Sequence, residues 1–131
     1  MCAPSCHDTS TLRGLWTEPD FDRDIYWAHA HLPGNAPSEI TPTVARSILA
    51  HVFTSNSLFC ILPVQDYLAL SASLSKVEPE KERVNIPGTV GGANWTYRLP
   101  CGVDELMDYA SLGSDIRKLV DVRKRRPLWK F

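Results

Sequence analysis

The sequence predicts an α/β fold built on a parallel sheet, and three observations carry that prediction. Thr41 and Pro42 form an N-cap and first-turn pair, and Val44, Ala45, Ile48, Leu49 and Val52 follow as one apolar stripe of helical period. Residues 58–62, Leu-Phe-Cys-Ile-Leu, then run uninterrupted and apolar, the pattern of a strand buried on both faces. Helix followed by buried strand is the repeating unit of a parallel sheet. Polar pairs come directly after apolar segments at two places, His7-Asp8 and Gln65-Asp66, and α/β folds carry their chemistry at the carboxyl ends of parallel strands.

The remaining elements are taken in chain order. Residues 1–8 are expected to be the end of a buried strand running into a loop, with Pro4 unable to donate to a ladder. Thr9, Ser10 and Thr11 offer an N-cap for a short helix whose face is Leu12, Leu15 and Trp16 and which Pro19 stops. Phe21, Tyr26 and Trp27 form an aromatic cluster that covers the core between the punctuating Pro19, Pro33, Gly34 and Pro37. The helix that starts at Pro42 should end near Ser55-Asn56, with Asn56 as a left-handed terminator. Pro63 ends the strand after it, and residues 67–70 can form a helical turn. Residues 71–82 are polar and charged and are expected to be an exposed connection without chemistry.

Residues 82–100 are the most shaped stretch of the chain. Pro87-Gly88 and Gly91-Gly92 forbid both a helix and a regular strand there, so Asn85, Asn94, Trp95, Arg83 and Arg98 share one loop. Such polar, aromatic loops on a rigid scaffold tend to carry binding function. Beyond Pro100 a helix should start at Val103 with acid in its first turn, and Ile116, Leu119, Val120 and Val122 mark another before Pro127, separated from the first by Gly113. Residues 115–131 form a basic terminal helix and tail: Arg117, Lys118, Arg123, Lys124, Arg125, Arg126 and Lys130 are half of the 14 basic residues. Cations late in a terminal helix complement its dipole, so this tail is assigned to solvent rather than to DNA or RNA.

Composition narrows the function classes. Fourteen basic residues against fifteen acidic ones leave a net charge of −1, which provides no general field for nucleic acid or a membrane surface. The first eight residues have neither the basic start nor the apolar core of a signal peptide, and no apolar run is long enough to span a bilayer. The expectation is a soluble, cytoplasmic protein. The four cysteines are expected to be reduced thiols, and neither Cys2, Cys6 and His7 nor the pair His29 and His31 matches the spacing of a zinc site.

Three polar constellations remain: His7-Asp8, Gln65-Asp66, and Asn85 with Asn94-Trp95. On one rim of a parallel sheet or barrel they would make a sugar site, because carboxylates and amides bind hydroxyls and an indole stacks on a pyranose face. Glycosidic chemistry needs two carboxylates flanking the bond, and Asp8 and Asp66 are the candidates placed at strand ends. Residues 5–9 (Ser-Cys-His-Asp-Thr), then 63–66 (Pro-Val-Gln-Asp), then 83–89 (Arg-Val-Asn-Ile-Pro-Gly-Thr) with Asn94, Trp95 and Arg98 resemble, in order and spacing, the C-terminal part of 4-α-glucanotransferases, the amylomaltases and disproportionating enzymes.

That resemblance implies the C-terminal part of a TIM-type (β/α)8 barrel, comprising its last two strands, their helices and a closing helical segment, so that residues 1–131 are a single partial domain. It implies retaining transfer of α-1,4-glucan segments between maltooligosaccharides, with no metal or organic cofactor. Asp8 matches the carboxylate that stabilises the transition state, and His7 the neighbouring sugar-binding histidine. Asn85 falls in the substrate-groove loop, and Asn94, Trp95, Gln65 and Asp66 stand as further substrate-binding positions. The family's nucleophilic aspartate and acid/base glutamate have no counterpart in these residues, so the chain is expected to be inactive without the remainder of the barrel. Residues 10–16 are similar to the branch that includes the plant cytosolic enzyme, and Thr96-Tyr97 replaces an Arg-Trp pair common after Asn94-Trp95. The alternative is a stand-alone maltooligosaccharide-binding module without catalysis.

Overall fold

The computed structural model describes the backbone of residues 1–124 and the side chains of residues 1–121. The expected helix at Pro42 is there: α3, Pro42–Phe53, begins where Thr41 Oγ1 accepts from the Val44 N–H at 3.3 Å. The two helices before it are also capped by side chains. Thr11 Oγ1 accepts from Gly14 N at the start of α1, Leu12–Thr17, and the Asp22 carboxylate accepts from Ile25 N at the start of α2, Arg23–His29. After α3 come the short helix α4, Val64–Leu68, a 3-10 turn at Pro79–Glu82, then α5, Val103–Met107, and α6, Ala110–Lys124.

The apolar stripe of α3 is the centre of the core. Val44, Ala45, Ile48, Leu49 and Phe53 are buried against Leu12 and Trp16 of α1, Leu68 of α4, Leu62, Leu74, and Leu112 and Leu119 of α6. An ion pair between Arg46 and Asp115 joins α3 to α6 at the edge of this contact. The expected aromatic cluster covers the other flank: Trp16 stands 5.7 Å from Phe21 and 6.1 Å from both Tyr26 and Trp27, ring centre to ring centre. Both buried indoles find an acceptor, Trp16 at Pro37 O and Trp27 at Pro33 O, which removes the cost of burying an N–H.

The expected strand at 58–62 is reduced to one parallel bridge, in which Cys2 pairs with Cys60 through Cys2 N–H to Phe59 O at 2.8 Å and Ile61 N–H to Cys2 O at 2.9 Å. It is not buried on both faces. Leu62 is buried and Cys60 packs on the core, whereas Phe59 is 61% exposed and Leu58 and Ile61 are more than half exposed. A strand covered on both faces needs a layer on each side, and here helices cover one.

Three local expectations are corrected. Asn56 is not left-handed, because Thr54 ends α3 in helical conformation, its hydroxyl bonding His51 O. Gly113 does not separate the last helices: α6 runs through it, and the break falls at 108–109, where the Tyr109 N–H closes on Leu106 O. Residues 71–82 are not simply exposed, since Leu74 and Glu82 are buried. The basic positions Arg125, Arg126 and Lys130, and the side chains of Arg123 and Lys124, lie outside what is described; Arg117 and Lys118 are on α6, both exposed as expected.

Candidate functional site

His7 and Asp8 sit in a tight turn in which Thr9 N–H bonds Cys6 O and Thr9 Oγ1 accepts from Cys6 N at 2.9 Å. Short polar side chains that bond nearby backbone favour turns of this kind. The turn meets the loop at 84–97 along a backbone contact, Asn85 N–H to His7 O at 3.0 Å. The loop is folded by its own residues. Gly88, Gly91 and Gly92 take positive φ, and Asn94 spans the interior by accepting from Ile86 N at 3.0 Å and donating to Thr89 Oγ1 at 2.9 Å. Trp95 also has positive φ, 62°, held by its N–H on Val84 O at 2.7 Å. A bulky residue in the left-handed region is strained, and such strain concentrates at functional positions.

These contacts bring five of the predicted site residues together at the surface. Asn85 Nδ2 donates to Asp8 Oδ1 at 2.7 Å, across 77 positions of sequence. His7 Nε2 lies 3.3 Å from Asp8 Oδ2, and the His7 ring packs at 5.3 Å and 37° on Trp95, a residue that is 65% exposed. Asn94 stands behind, its amide engaged within the loop. Arg83 fastens the base of the cluster, donating to Asp8 O, Ser10 Oγ and Asn85 O. The result is a solvent-facing carboxylate with lone pairs to spare, an amide that orients it, and two rings forming a ledge beside it. Such a surface can hydrogen-bond hydroxyls and stack on an apolar ring face.

Gln65 and Asp66 are elsewhere. Asp66 is 0% exposed: Oδ2 accepts from Ser5 Oγ at 2.6 Å and Oδ1 from Leu12 N at 2.8 Å, so it clamps the 1–8 segment and the start of α1 onto α4. Burial pushes its carboxyl above the usual carboxylate range against the pull of those two bonds. Gln65 is buried too and donates to Glu82 O at 3.2 Å. Glu82, 4% exposed, binds Thr11 Oγ1 at 2.9 Å and forms an ion pair with Arg13; burial raises its carboxyl despite Thr11 and Arg13. This buried underframe fixes the turn bearing Asp8 relative to the stretch that enters the Asn85 loop. Sequence reasoning misses Glu82 and Ser5 as supporting residues. A glutamate inside Pro-Glu-Lys-Glu has the composition of a solvated turn, and only the fold reveals its partners.

Among the described residues no group of three or more His, Cys, Asp or Glu side chains is placed to hold a metal ion, and no helix is long and apolar enough to cross a membrane.

A family model described as 4-alpha-glucanotransferase matches residues 1–104. The chain is similar to the 4-alpha-glucanotransferase DPE2 of Oryza sativa subsp. japonica, 36% identical over 121 residues, which are 92% of this chain and 13% of the rice protein. It is 31% identical over 115 residues to the 4-alpha-glucanotransferase of Chlamydia trachomatis serovar D, covering 88% of this chain and 21% of that protein. The Streptococcus pneumoniae 4-alpha-glucanotransferase is 30% identical over 125 residues, 90% of this chain and 22% of its own length. The chain thus spans less than a quarter of these relatives.

Proposed function

The chain belongs to the 4-alpha-glucanotransferase family, and from that premise we propose that it forms part of the active site of a cytoplasmic enzyme that transfers α-1,4-glucan segments between maltooligosaccharides. The observation that carries the proposal is the convergence of Asp8, Asn85, His7 and Trp95 on one exposed rim. In this reading the segments that pair at Cys2 and Cys60 are the last two strands of a (β/α)8 barrel and α3 is the crossover between them. Their parallel pairing, with a helix packed against it, supports that placement. The bare faces of Leu58, Phe59 and Ile61 are what the remainder of the barrel would cover.

The chemistry assigned to the rim is electrostatic and positional. Retaining transfer passes through an oxocarbenium-like transition state, in which hydrogen bonds to ring hydroxyls tighten as positive charge grows at the anomeric carbon. Asp8, held in place by Asn85 at one oxygen and His7 near the other, has acceptor capacity left for those hydroxyls. A preorganised carboxylate does this without reorienting during the reaction. Trp95 and His7 provide the stacking ledge that sets the sugar's position. The nucleophile and the acid/base come from the remainder of the barrel, because double displacement requires both and this chain has no match for either. Neither a metal nor an organic cofactor enters this scheme.

The test is disproportionation of maltotriose by the native protein that contains these residues. It should give glucose together with longer oligosaccharides, and the 131-residue chain alone should give neither. Transfer by the isolated chain would overturn the assignment of roles, and a native protein inert toward every maltooligosaccharide would overturn the function.

A further inference from the structure

Two cysteines face each other across the parallel bridge, and nothing in the glucan chemistry uses them. Cys2 donates its N–H to Phe59 O at 2.8 Å and accepts from Ile61 N at 2.9 Å, which makes Cys60 its paired residue. Paired residues on neighbouring strands project to the same face, and strand spacing sets their Cα atoms about 4.8 Å apart. Disulfides span Cα separations of roughly 4.4–6.8 Å, so the register brings the two thiols within bonding range with little backbone movement. Both face the helix layer: Cys60 packs on the core, and Cys2 lines a cavity of about 320 Å³ among Leu12, Trp16, Tyr26 and His51. That cavity has room for a small reagent, and neither thiol is fully buried.

We propose that Cys2 and Cys60 are a reversible oxidation site, a dithiol that closes to a disulfide under hydroperoxide. One thiol sulfur attacks the O–O bond, forming S–O and expelling hydroxide, which takes the thiol proton and leaves as water. The second sulfur then attacks the sulfenic sulfur, S–S forms, S–O breaks, and a second water leaves with the remaining proton. The sulfur pair loses two electrons and the peroxide gains them, so two thiols and one peroxide give one disulfide and two waters. The bridge would pin the segment five residues before His7 to residues 58–62. Closing across neighbouring strands forces the side chains into a narrower approach than a relaxed disulfide prefers, which keeps the bond easy to reduce.

The inference stands on the bridge alone and is independent of the glucanotransferase reading. The test is peptide mapping of the native protein after hydrogen peroxide treatment and blocking of remaining thiols. The expected product is a linked pair of tryptic peptides, 1–13 joined to 47–76, lighter by two hydrogens and separated by dithiothreitol. Cys6 shares the first peptide, so fragmentation between the two cysteines must place the bond at Cys2. The link should persist in Cys6→Ser and vanish in Cys2→Ser and Cys60→Ser. Absence of the linked pair in the wild type, or a bond placed at Cys6 or Cys101, overturns the proposal whether or not the variants fold.

Discussion

Asp8 and Asp66 have nearly the same sequence setting, an apolar segment leading to a polar residue and then the aspartate, and they end in opposite environments. Asp8 lies on a solvent-facing rim, held by one amide and flanked by rings. Asp66 is sealed under α1, with both oxygens occupied by Ser5 and the Leu12 N–H. The difference comes from the backbone around each. After Asp8 the chain turns outward through Thr9, whereas Asp66 lies inside α4, whose buried face carries it inward. Position after an apolar segment therefore marks a candidate, and the element that comes next decides whether the carboxylate faces solvent or is sealed into the frame.

Exchanging the two carboxylates one at a time should separate activity from stability, and this is the largest effect expected. In the native protein Asp8→Asn should lower transfer from maltotriose by about 10²–10³-fold, the usual loss on removing one preorganised transition-state contact. Its melting midpoint should barely move, because the side chain is half exposed. Asp66→Ala should act in reverse: a loss of about 1–3 kcal/mol in chemical denaturation, from the Leu12 N–H and the Ser5 hydroxyl left without their acceptor, with turnover of the folded fraction largely retained. If both substitutions affected stability alike, the contrast between rim and frame would fail.

Trp95→Ala sharpens the same contrast within the rim. Loss of the stacking ledge should raise KM for maltooligosaccharides several-fold, in line with about 1 kcal/mol for an aromatic contact, and change kcat little. The smallest effect concerns pH. Asp66 and Glu82 both titrate above their ordinary range because burial disfavours the charged form. The native state therefore keeps protons that the unfolded chain has already released. Their contribution to stability is complete below the unfolded carboxylate pKa and is lost as pH rises through the folded one. Asp66→Asn should flatten that part of the stability profile above about pH 4, and Asp8→Asn should leave it unchanged, as followed by urea unfolding across the acid range.

Much of the molecule is legible in the sequence where local chemistry decides. Thr41-Pro42 and the spacing of Val44, Ala45, Ile48 and Leu49 place the start and buried face of α3, which ends at Phe53, short of the expected Ser55-Asn56, and the aromatic cluster can be inferred from Phe21, Tyr26 and Trp27. His7, Asp8, Asn85 and Trp95 are legible only as linked motifs, since no periodicity brings positions 8 and 85 together. Features set by tertiary context are not legible. Gly113 disfavours a helix in isolation, yet the packing of Leu112 and Leu119 carries α6 through it. The apolar run at 58–62 announces burial on two faces, and here only one is covered. Glu82 looks like a surface charge until Arg13 and Thr11 arrive from the other end of the chain.

The most direct test of the rim is a structure of the native protein with maltotriose bound. A glucose ring should lie against Trp95 and His7, with a hydroxyl within hydrogen-bonding distance of Asp8 and the Asp8 to Asn85 contact preserved. Sugar bound elsewhere, with Asp8 facing only solvent, would contradict the role assigned to this rim.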